Sequence, residues 1–526
     1  MKLQWILLTY GLANAALYSA ILPLWEGFDE PFHFGYVQYL ANRQGFPDPR
    51  TTVLSREVGS SILIAPASGA VKHNLPQVTT YSDFFSWPRL QRAAMRKRLR
   101  EIPPVSRWQP SDFVNYEALQ APLAYALLAL PERALAHVPP PGRVFVLRII
   151  GASIGVILLN FGAKRLFSEL GLRDPYSGAA IFCALSCQMT WATMAHVAND
   201  WLAVPLTVWS LVAIVKYWKA PRLRAAAAVA SLISAGLLAK AYFVAMIPVA
   251  LAVFLVRKRW KDLAVGSAIL LMTAGPWYVR NAIRYGAITG MQESRAGIGA
   301  TALIRAAITL SWPRVVTTSV RAALWTGNNS FTSFSSHTLM AIVTAWLIAL
   351  VLWATGRHVC VEWVIVLYSA VFLGALIYIT VVSHVYTGGA ANGPSPWYSQ
   401  VLLVPALGLA FLGCAQSSRL GRAVAAILVV LFGYVMIATY VVKLIPLYGG
   451  YLGRTSLTSL TNLYSTRLPD VADNLDLLCL APARILFGLL SVVIALAIAQ
   501  VIILIRLFPA RRPDGAGTED TEGSAR

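Results

Sequence analysis

Apolar residues recur along this chain in blocks of about twenty, separated by short polar connectors. A helical block of that length, such as 363–382 or 485–505, is about 30 Å long and matches the hydrocarbon core of a bilayer. The core of a soluble protein accounts for one such block but not for a long series of them. The pattern therefore predicts an all-α polytopic membrane protein.

The blocks predict twelve membrane-spanning helices. Their approximate bounds are 4–22, 144–166, 177–197, 200–218, 225–239, 242–256, 262–279, 337–356, 361–383, 398–415, 421–443 and 485–506. The stretch 116–136 is predicted to lie in or dip into the outer interface, because Pro122 and Pro131 interrupt it and a full crossing there would invert every later helix.

Lysine and arginine residues cluster in the short connectors, which the positive-inside rule places in the cytoplasm. Both termini are then cytoplasmic, and three larger segments are outside. These are 23–143, about 280–336, and 444–484. The predicted organisation is a transmembrane module over 1–443 that includes the first outer loop, an outer segment with the last helix over 444–506, and a disordered cytoplasmic tail over 507–526.

Composition supports the membrane assignment, with 57% hydrophobic and 13% charged residues and a mean hydropathy of +0.61. The net charge of +21 is also typical of nucleic-acid-binding proteins. Because the basic residues lie mostly in connectors between apolar blocks, the positive charge is explained by its effect on the orientation of the helices in the membrane. No nucleic-acid partner is therefore expected. The five cysteines form no metal-binding cluster with histidines.

The first outer segment opens with an acidic cluster directly after the first helix. Glu26, Asp29, Glu30 and His33 fall within eight residues. Carboxylates beside a bilayer are partly desolvated, which raises their pKa and makes them better bases. An acidic turn that caps a helix at the interface explains the same spacing, and the sequence leaves both interpretations open.

Three later outer segments carry further candidates. Asn199 and Asp200 form a turn on the same side as Asp29, where Asp200 is either a site residue or a helix cap. Lys240 lies at the tip of a hairpin, where an ammonium group binds a lipid phosphate or snorkels to the interface. Arg280 and Arg284, one helical turn apart, suit bidentate phosphate contact.

Two other features are open to less specific explanations. Tyr398 follows Trp397 in an outer turn, where an aromatic belt explains both without a function. The basic run 89–100 predicts an amphipathic interfacial helix that grips anionic headgroups.

In chain order, these segments resemble the signature of GT-C membrane glycosyltransferases, in particular the bacterial branch related to protein mannosyltransferases and aminoarabinose transferases. The matching elements are Phe28-Asp29-Glu30-Pro31-Phe32-His33-Phe34, Gln120-Ala121-Pro122-Leu123-Ala124-Tyr125, Asn199-Asp200, Leu238-Ala239-Lys240, Trp277-Tyr278-Val279-Arg280-Asn281 and the segment from Tyr398 to Ala406. Two positions depart from the pattern: Ala121 replaces a proline, and no arginine adjoins Tyr398.

The resemblance implies a GT-C-like bundle that transfers a sugar from a polyprenyl phosphate to an acceptor hydroxyl, with inversion, at the outer leaflet of a bacterial inner membrane. The implied roles follow the matched elements. Asp29 is the general base, Glu30 and His33 orient the acceptor, Lys240 and Arg280 bind the donor phosphate, and Asn199, Asp200 and Tyr398 bind substrate. Arg284 lies outside the matched elements and joins the phosphate-binding group through its spacing from Arg280.

The acceptor stays open among a lipid, a polysaccharide and a protein. No cofactor is predicted; some relatives use a divalent metal, but the sequence shows no ligand set for one. The main alternative is a lipid or polysaccharide transporter or flippase. Such a protein is expected to place charged residues near the bilayer midplane, whereas here the polar groups gather at the outer ends of the helices.

Overall fold

Helices make up almost all of this computed structural model, which describes residues 2–42, 45–289, 297–417, 419–451 and 456–508. Of the tail predicted over 507–526, residues 509–526 lie outside the described residues, whereas Leu507 is the last residue of a helix. From the amino terminus to the end of the predicted hairpin, the helices are α1 Lys2–Ile21, α2 Glu30–Ala41, α3 Arg56–Ile64, α4 Gly69–Asn74, α5 Tyr81–Ser86, α6 Arg89–Arg100, α7 Leu123–Ala134, α8 Pro140–Glu169, α9 Tyr176–Ser186, α10 Gln188–Met194, α11 Asp200–Lys219, α12 Leu223–Ala239 and α13 Met246–Val256.

The second half of the chain continues the all-α pattern. Its helices are α14 Trp260–Thr273, α15 Gly275–Tyr285, α16 Ala300–Thr309, α17 Trp312–Leu324, α18 Ser336–Ala354, α19 Glu362–Tyr386, α20 Gln400–Gln416, α21 Arg419–Ala438, α22 Ile445–Tyr448, α23 Leu457–Thr466, α24 Leu468–Leu478 and α25 Ala483–Leu507. Strands β1 Val53–Ser55 and β2 Pro110–Val114 form one antiparallel pair within the first outer segment.

Seven helices of the described residues are long and apolar enough to cross a membrane: α8, α11, α18, α19, α20 with the turn before it, α21 continued to Tyr448, and α25. The pair α14 and α15, bent by 51°, makes an eighth if it is one span. The other four predicted spans correspond to α1, α12, α13 and the pair α9–α10. That pair is broken because Cys187 is extended, with φ −77° and ψ 120°. The predicted all-α polytopic membrane fold is confirmed.

The candidate site is positioned by the close packing of α8 against its neighbouring helices. This helix packs against both α1 and α11. At Gly155, an added Cβ would stand 2.6 Å from the main-chain oxygen of Trp201, so only glycine lets α8 come this near to α11. The start of α11, which carries Asp200, is thereby held beside the end of α1, from which the acidic cluster follows.

The first outer segment is fastened to α8 by buried charges. Arg143 of α8 pairs with Glu57 of α3 at 2.5 Å and with Glu132 of α7. Glu132 also pairs with Arg107 at 2.9 Å. Because breaking a buried pair costs about 3–5 kcal/mol, this network holds α3 and α7 in one position relative to α8.

The basic run forms helix α6 as predicted, but one of its faces is occupied by protein. Arg89 pairs with Asp473 of α24 at 2.7 Å, and Arg96 donates to the carbonyl of Cys479 at 2.7 Å. Lys97 and Arg98 are exposed. The surface available to anionic headgroups is therefore smaller than the sequence pattern indicates.

Candidate active site

The segment that carries Asp29 is held in an uncommon backbone conformation. Trp25 and Asp29 both have positive φ, 64° and 53°, although neither is glycine. Such residues cost about 1–3 kcal/mol each and persist where surrounding contacts enforce them. Asp29 occupies the position before α2 but makes no side-chain capping bond. Its carboxylate instead accepts a hydrogen bond of 2.6 Å from the hydroxyl of Tyr116. The side chain of Asp29 therefore does not cap α2.

A second segment braces the first. Glu26 accepts hydrogen bonds from the main-chain nitrogen of Ser330 at 2.8 Å and from the hydroxyl of Tyr81 at 2.7 Å. The side-chain amide of Asn329 donates to the carbonyl of Gly27 at 2.9 Å. Phe331, which follows, also has positive φ, at 45°. The two strained segments therefore support each other and hold Asp29 from both sides.

One cavity collects most of the predicted site residues. It is lined by Phe28, Asp29, His33, Glu117, Gln120, His196, Asn199, Asp200, Lys240, Trp397 and Tyr398. These residues come from distant parts of the chain. The structure thus brings together six of the nine predicted site residues: Asp29, His33, Asn199, Asp200, Lys240 and Tyr398.

Lys240 and Asp200 form a buried ion pair at this cavity. The side-chain nitrogen of Lys240 lies 2.6 Å from both carboxylate oxygens of Asp200. It also lies 5.5 Å from the ring centres of Tyr242 and Tyr398. Asn199 takes the position before α11, and its side chain forms no capping bond. The carboxylate of Asp200 thus forms an ion pair with Lys240.

Three buried polar atoms at the cavity lack a hydrogen-bond partner within the described part of the chain. They are Oε2 of Glu117, Nδ1 of His196 and Oδ1 of Asn199. Nδ1 of His33 lies 3.6 Å from the Glu117 oxygen, which is beyond hydrogen-bond length. Because most buried polar groups are satisfied, such atoms mark the places where a bound molecule completes the bonding.

Burial shifts the pKa values of the ionisable side chains that line the cavity. It raises the pKa of Asp29, while the Tyr116 hydrogen bond and the charge of Lys240 act in the opposite direction. Burial, together with the charge of Asp29, raises the pKa of Glu117 to about 8. Burial lowers the pKa of His33 well below its usual value. Glu117 therefore keeps its proton to a higher pH than an ordinary glutamic acid, and His33 stays neutral to a lower pH than an ordinary histidine.

Glu30 is adjacent to Asp29 but lies outside this cavity lining. Its carboxylate pairs with the guanidinium of Arg148 at 2.5 Å, and both side chains are fully buried. The main-chain nitrogen of Val197 donates a further hydrogen bond of 2.9 Å to it. Burial acts to raise the pKa of Glu30, but the ion pair more than offsets this, so the net shift is downward. The arrangement favours a structural anchor over a group that orients the acceptor.

Arg280 and Arg284 also lie outside the cavity lining. The guanidinium of Arg280 stands over the rings of Trp277 and Tyr285 and donates to the carbonyl of Pro47 at 3.3 Å. Arg284 is exposed.

An apolar groove adjoins the polar cavity and shares Gln120, Lys240 and Tyr398 with it. Its walls come from the segment 241–248 and from α19, with the chain just after α15 at one side. The groove has a volume of about 650 Å³. A polar end at Lys240 and apolar walls between membrane helices together suit an amphipathic lipid.

Comparison with solved structures finds similar chains. ArnT from Cupriavidus metallidurans bound to undecaprenyl phosphate aligns with a TM-score of 0.42 and 12% identity, over 85% of this chain and 73% of that one. The same protein in the apo state aligns with a TM-score of 0.39 and 14% identity, over 84% and 74%. Both neighbours are ArnT. No family model and no curated protein matches the chain.

Besides the aromatic residues Phe28 and Trp397, four residues at the cavity were not among the predicted site residues. Glu117, Gln120 and His196 line it, and Tyr116 binds Asp29 from beside it. Gln120 lies in an element that matches the family pattern, and His196 precedes Asn199 by about one turn. The sequence therefore offered grounds to predict both as site residues. Nothing in the local sequence distinguishes Glu117 or Tyr116. Within the described ranges, no group of three or more histidine, cysteine and acidic residues is arranged to hold a metal ion.

Proposed function

We propose that this protein transfers a sugar from a polyprenyl-phosphate-linked donor to an acceptor hydroxyl, with inversion, at the outer leaflet of a bacterial inner membrane. The observation that carries the proposal is the position of Lys240. It lies between a polar cavity that contains Asp29 and an apolar groove between membrane helices. A polyprenyl-phosphate sugar has an apolar chain, an anionic centre and a polar head in that same order.

The donor phosphate would bind Lys240. An ammonium group has three N–H donors, and the two oxygens of Asp200 occupy two of them. No group of the described residues takes the third, which would bind a phosphate oxygen while Asp200 holds the lysine in position. The polyprenyl chain would lie in the groove against Phe372 and Tyr378. The ring of Tyr398 would cover the junction.

Asp29 would be the general base. It removes the proton of the acceptor hydroxyl as the oxygen forms a bond to the anomeric carbon of the sugar. The bond from that carbon to the phosphate oxygen breaks, and the electron pair leaves with the polyprenyl phosphate. Lys240 stabilises the negative charge on this leaving group, an interaction strengthened by the low dielectric of a buried site. Attack opposite the leaving phosphate gives inversion.

The unpaired atoms of Glu117, His196 and Asn199 would bind the hydroxyls of the transferred sugar. The polar cavity itself has a volume of about 50 Å³, which is room for a few water molecules. A sugar ring would therefore extend from the cavity into the wider groove beside Lys240.

The test is sugar transfer by the purified full-length protein in lipid nanodiscs from a labelled pool of polyprenyl-phosphate sugars. Asp29→Asn should reduce kcat at least 1000-fold with little change in donor affinity. Asp112→Asn is the matched control, because Asp112 is an exposed residue of the same outer segment. The product should carry the anomeric configuration opposite to that of the donor, as read by NMR.

Two outcomes would overturn the proposal. Equal transfer by the wild type and Asp29→Asn would remove Asp29 from the chemistry. Absence of transfer by the wild type across neutral and charged acceptors, combined with movement of labelled lipid between leaflets, would identify a flippase instead.

A further inference from the structure

Asp29 also lines a second pocket, whose lining does not include Lys240. This pocket has a volume of about 410 Å³ and lies among α3, α4 and the segment around Phe331. Asp29 and Tyr116 are at its inner end, while Ala70 and Asn74 of α4 line its outer part and are exposed. Asp29 therefore lines both this pocket and the polar cavity that contains Lys240, and it is the one residue that the two linings share.

The two sides of Asp29 differ in charge. Lys240 lines both the polar cavity and the groove. The second pocket is lined by no described lysine or arginine, and Asp29 is its only charged residue. An anionic acceptor in this pocket would lie beside a carboxylate with no cation lining the pocket to offset the repulsion. This is a marked local exception in a chain with a net charge of +21.

The walls of the second pocket combine aromatic rings with a few polar groups. Trp25, Phe32, Tyr116 and Phe331 contribute rings, and Asn74 contributes an amide. Aromatic faces cover the C–H faces of sugar rings, and amide groups bond to hydroxyls. An apolar pocket with few polar groups fixes the orientation of a neutral ligand through those groups.

We infer that this pocket binds the acceptor and that the acceptor is a neutral sugar, which presents its hydroxyl to Asp29 from the side opposite the donor phosphate. The inference rests on the proposed transferase function and names the substrate class of that site. The difference in charge between the two sides of Asp29 then determines on which side the donor and the acceptor each bind. The anionic donor is directed to the lysine side and the uncharged acceptor to the aromatic side.

The experiment compares 4-nitrophenyl β-glucoside with 4-nitrophenyl β-glucuronide, two probes of similar shape that differ by one carboxylate. Binding to the full-length protein in nanodiscs is measured by saturation-transfer NMR without donor, and transfer is measured separately with donor. The glucoside should bind at least tenfold more tightly than the glucuronide. Ala70→Trp, which fills the pocket, should weaken glucoside binding at least tenfold. Ala94→Trp, on an exposed position of α6, should leave it unchanged.

A variant that binds a ligand more tightly cannot be explained by misfolding, so a second variant tests for a gain of affinity. Ala70→Arg places a cation in the pocket and should raise the affinity for the glucuronide relative to the glucoside. Equal or tighter binding of the glucuronide by the wild type would overturn the inference. So would glucoside binding that is unaffected by Ala70→Trp, or transfer to a lipid or a serine peptide in place of either glycoside.

The failure of the pocket and the failure of the proposed function give different results. Glucoside binding that depends on Ala70, without any transfer, would reject the transferase and retain the pocket. Transfer that depends on Asp29 but is insensitive to Ala70→Trp would retain the transferase and reject the pocket.

Discussion

Lys240 places its side-chain nitrogen 2.6 Å from both carboxylate oxygens of Asp200, at the point where the polar cavity meets the apolar groove. The two residues belong to different helical hairpins, and the pair is largely buried, with side-chain exposures of 9% and 4%. Removal of one partner from a buried pair leaves an uncompensated charge, whereas removal of both does not. This difference separates the structural part of the interaction from its part in binding phosphate.

Lys240→Met should lower both stability and activity. We expect kcat/KM for the donor to fall at least 100-fold, which corresponds to about 2.7 kcal/mol of lost transition-state stabilisation. The double variant Lys240→Met with Asp200→Asn should recover the thermal unfolding temperature but not the transfer rate. Recovery of transfer in the double variant would show that the lysine acts only by neutralising Asp200.

Glu30→Gln should act mainly on stability. The carboxylate pairs with Arg148 in the protein interior, and breaking such a pair costs about 3–5 kcal/mol. The unfolding temperature of the purified protein should drop clearly. Glu101→Gln is the control, because its 3.6 Å pair with Lys97 is exposed and contributes at most about 1 kcal/mol. If Glu30→Gln unfolds at the wild-type temperature yet loses transfer, the residue acts on the substrate as the sequence predicts.

Glu117 should make stability fall as pH rises. Its pKa is about 8 in the folded protein, against an ordinary value of 4.5. Between these values the folded state binds more protons than the unfolded state, so the free energy of unfolding decreases with increasing pH. Glu26, whose pKa burial raises to about 7, contributes in the same direction.

Glu117→Gln should therefore flatten part of this dependence, as measured by the unfolding temperature at pH 5 and pH 8. Some slope should persist in the variant because Glu26 still titrates. The buried His33, whose pKa is lowered, acts in the opposite direction at the acid end of this range, so the test is the difference between variant and wild type. An unchanged slope in Glu117→Gln would contradict the assignment of Glu117 as a buried carboxyl with a raised pKa.

Tyr116→Phe should shift the pH dependence of transfer. The hydroxyl of Tyr116 donates to Asp29 at 2.6 Å and favours its ionised form. Without this bond, the pKa of the base rises, and the acid limb of kcat/KM should move to higher pH. Tyr39→Phe, in another part of the first outer segment, should leave the limb in place. A limb that does not move with Tyr116→Phe belongs to a group other than Asp29.

Gly27→Ala should displace the segment that carries the base. A Cβ at Gly27 would stand 2.5 Å from Cβ of His196, closer than side chains tolerate. The strain should cost about 1–3 kcal/mol, and transfer should fall at least tenfold because Asp29 is two residues away. Gly69→Ala is the matched control, since nothing lies within 4 Å of its added Cβ. Retention of full activity in Gly27→Ala would mean that this close contact does not set the position of Asp29.

The sequence predicts the fold class and the ends of the chemistry-bearing segments well. Long apolar blocks need no tertiary information, because the length of a block and its lack of charge decide whether it can cross a bilayer. The basic helix 89–100 was also predicted with its observed bounds. The break at Cys187 was not predicted, because hydropathy is the same in a continuous helix and in a broken one.

Asp29 and Glu30 show the limit at the site. They are neighbours in one acidic motif, yet one lines the cavity and the other is buried against Arg148. Asp29 precedes α2 with positive φ and Glu30 is the first residue of that helix, so the motif identifies the pair, but packing decides which of the two side chains lines the cavity. The partner Arg148 lies more than a hundred residues away along the chain and is chosen only by the packing of α8 on α1.

By itself, then, the sequence determined that the chain is a helical membrane protein and that Asp29, Asp200 and Lys240 lie at helix ends, because hydrophobic length and local polarity act over neighbouring residues. Only the tertiary structure decided that Lys240 pairs with Asp200, that Glu117 joins Asp29 in one cavity, and that Arg280 and Arg284 lie outside the lining of that cavity. Those relations depend on distances between segments far apart in the chain, which the close packing of helices sets.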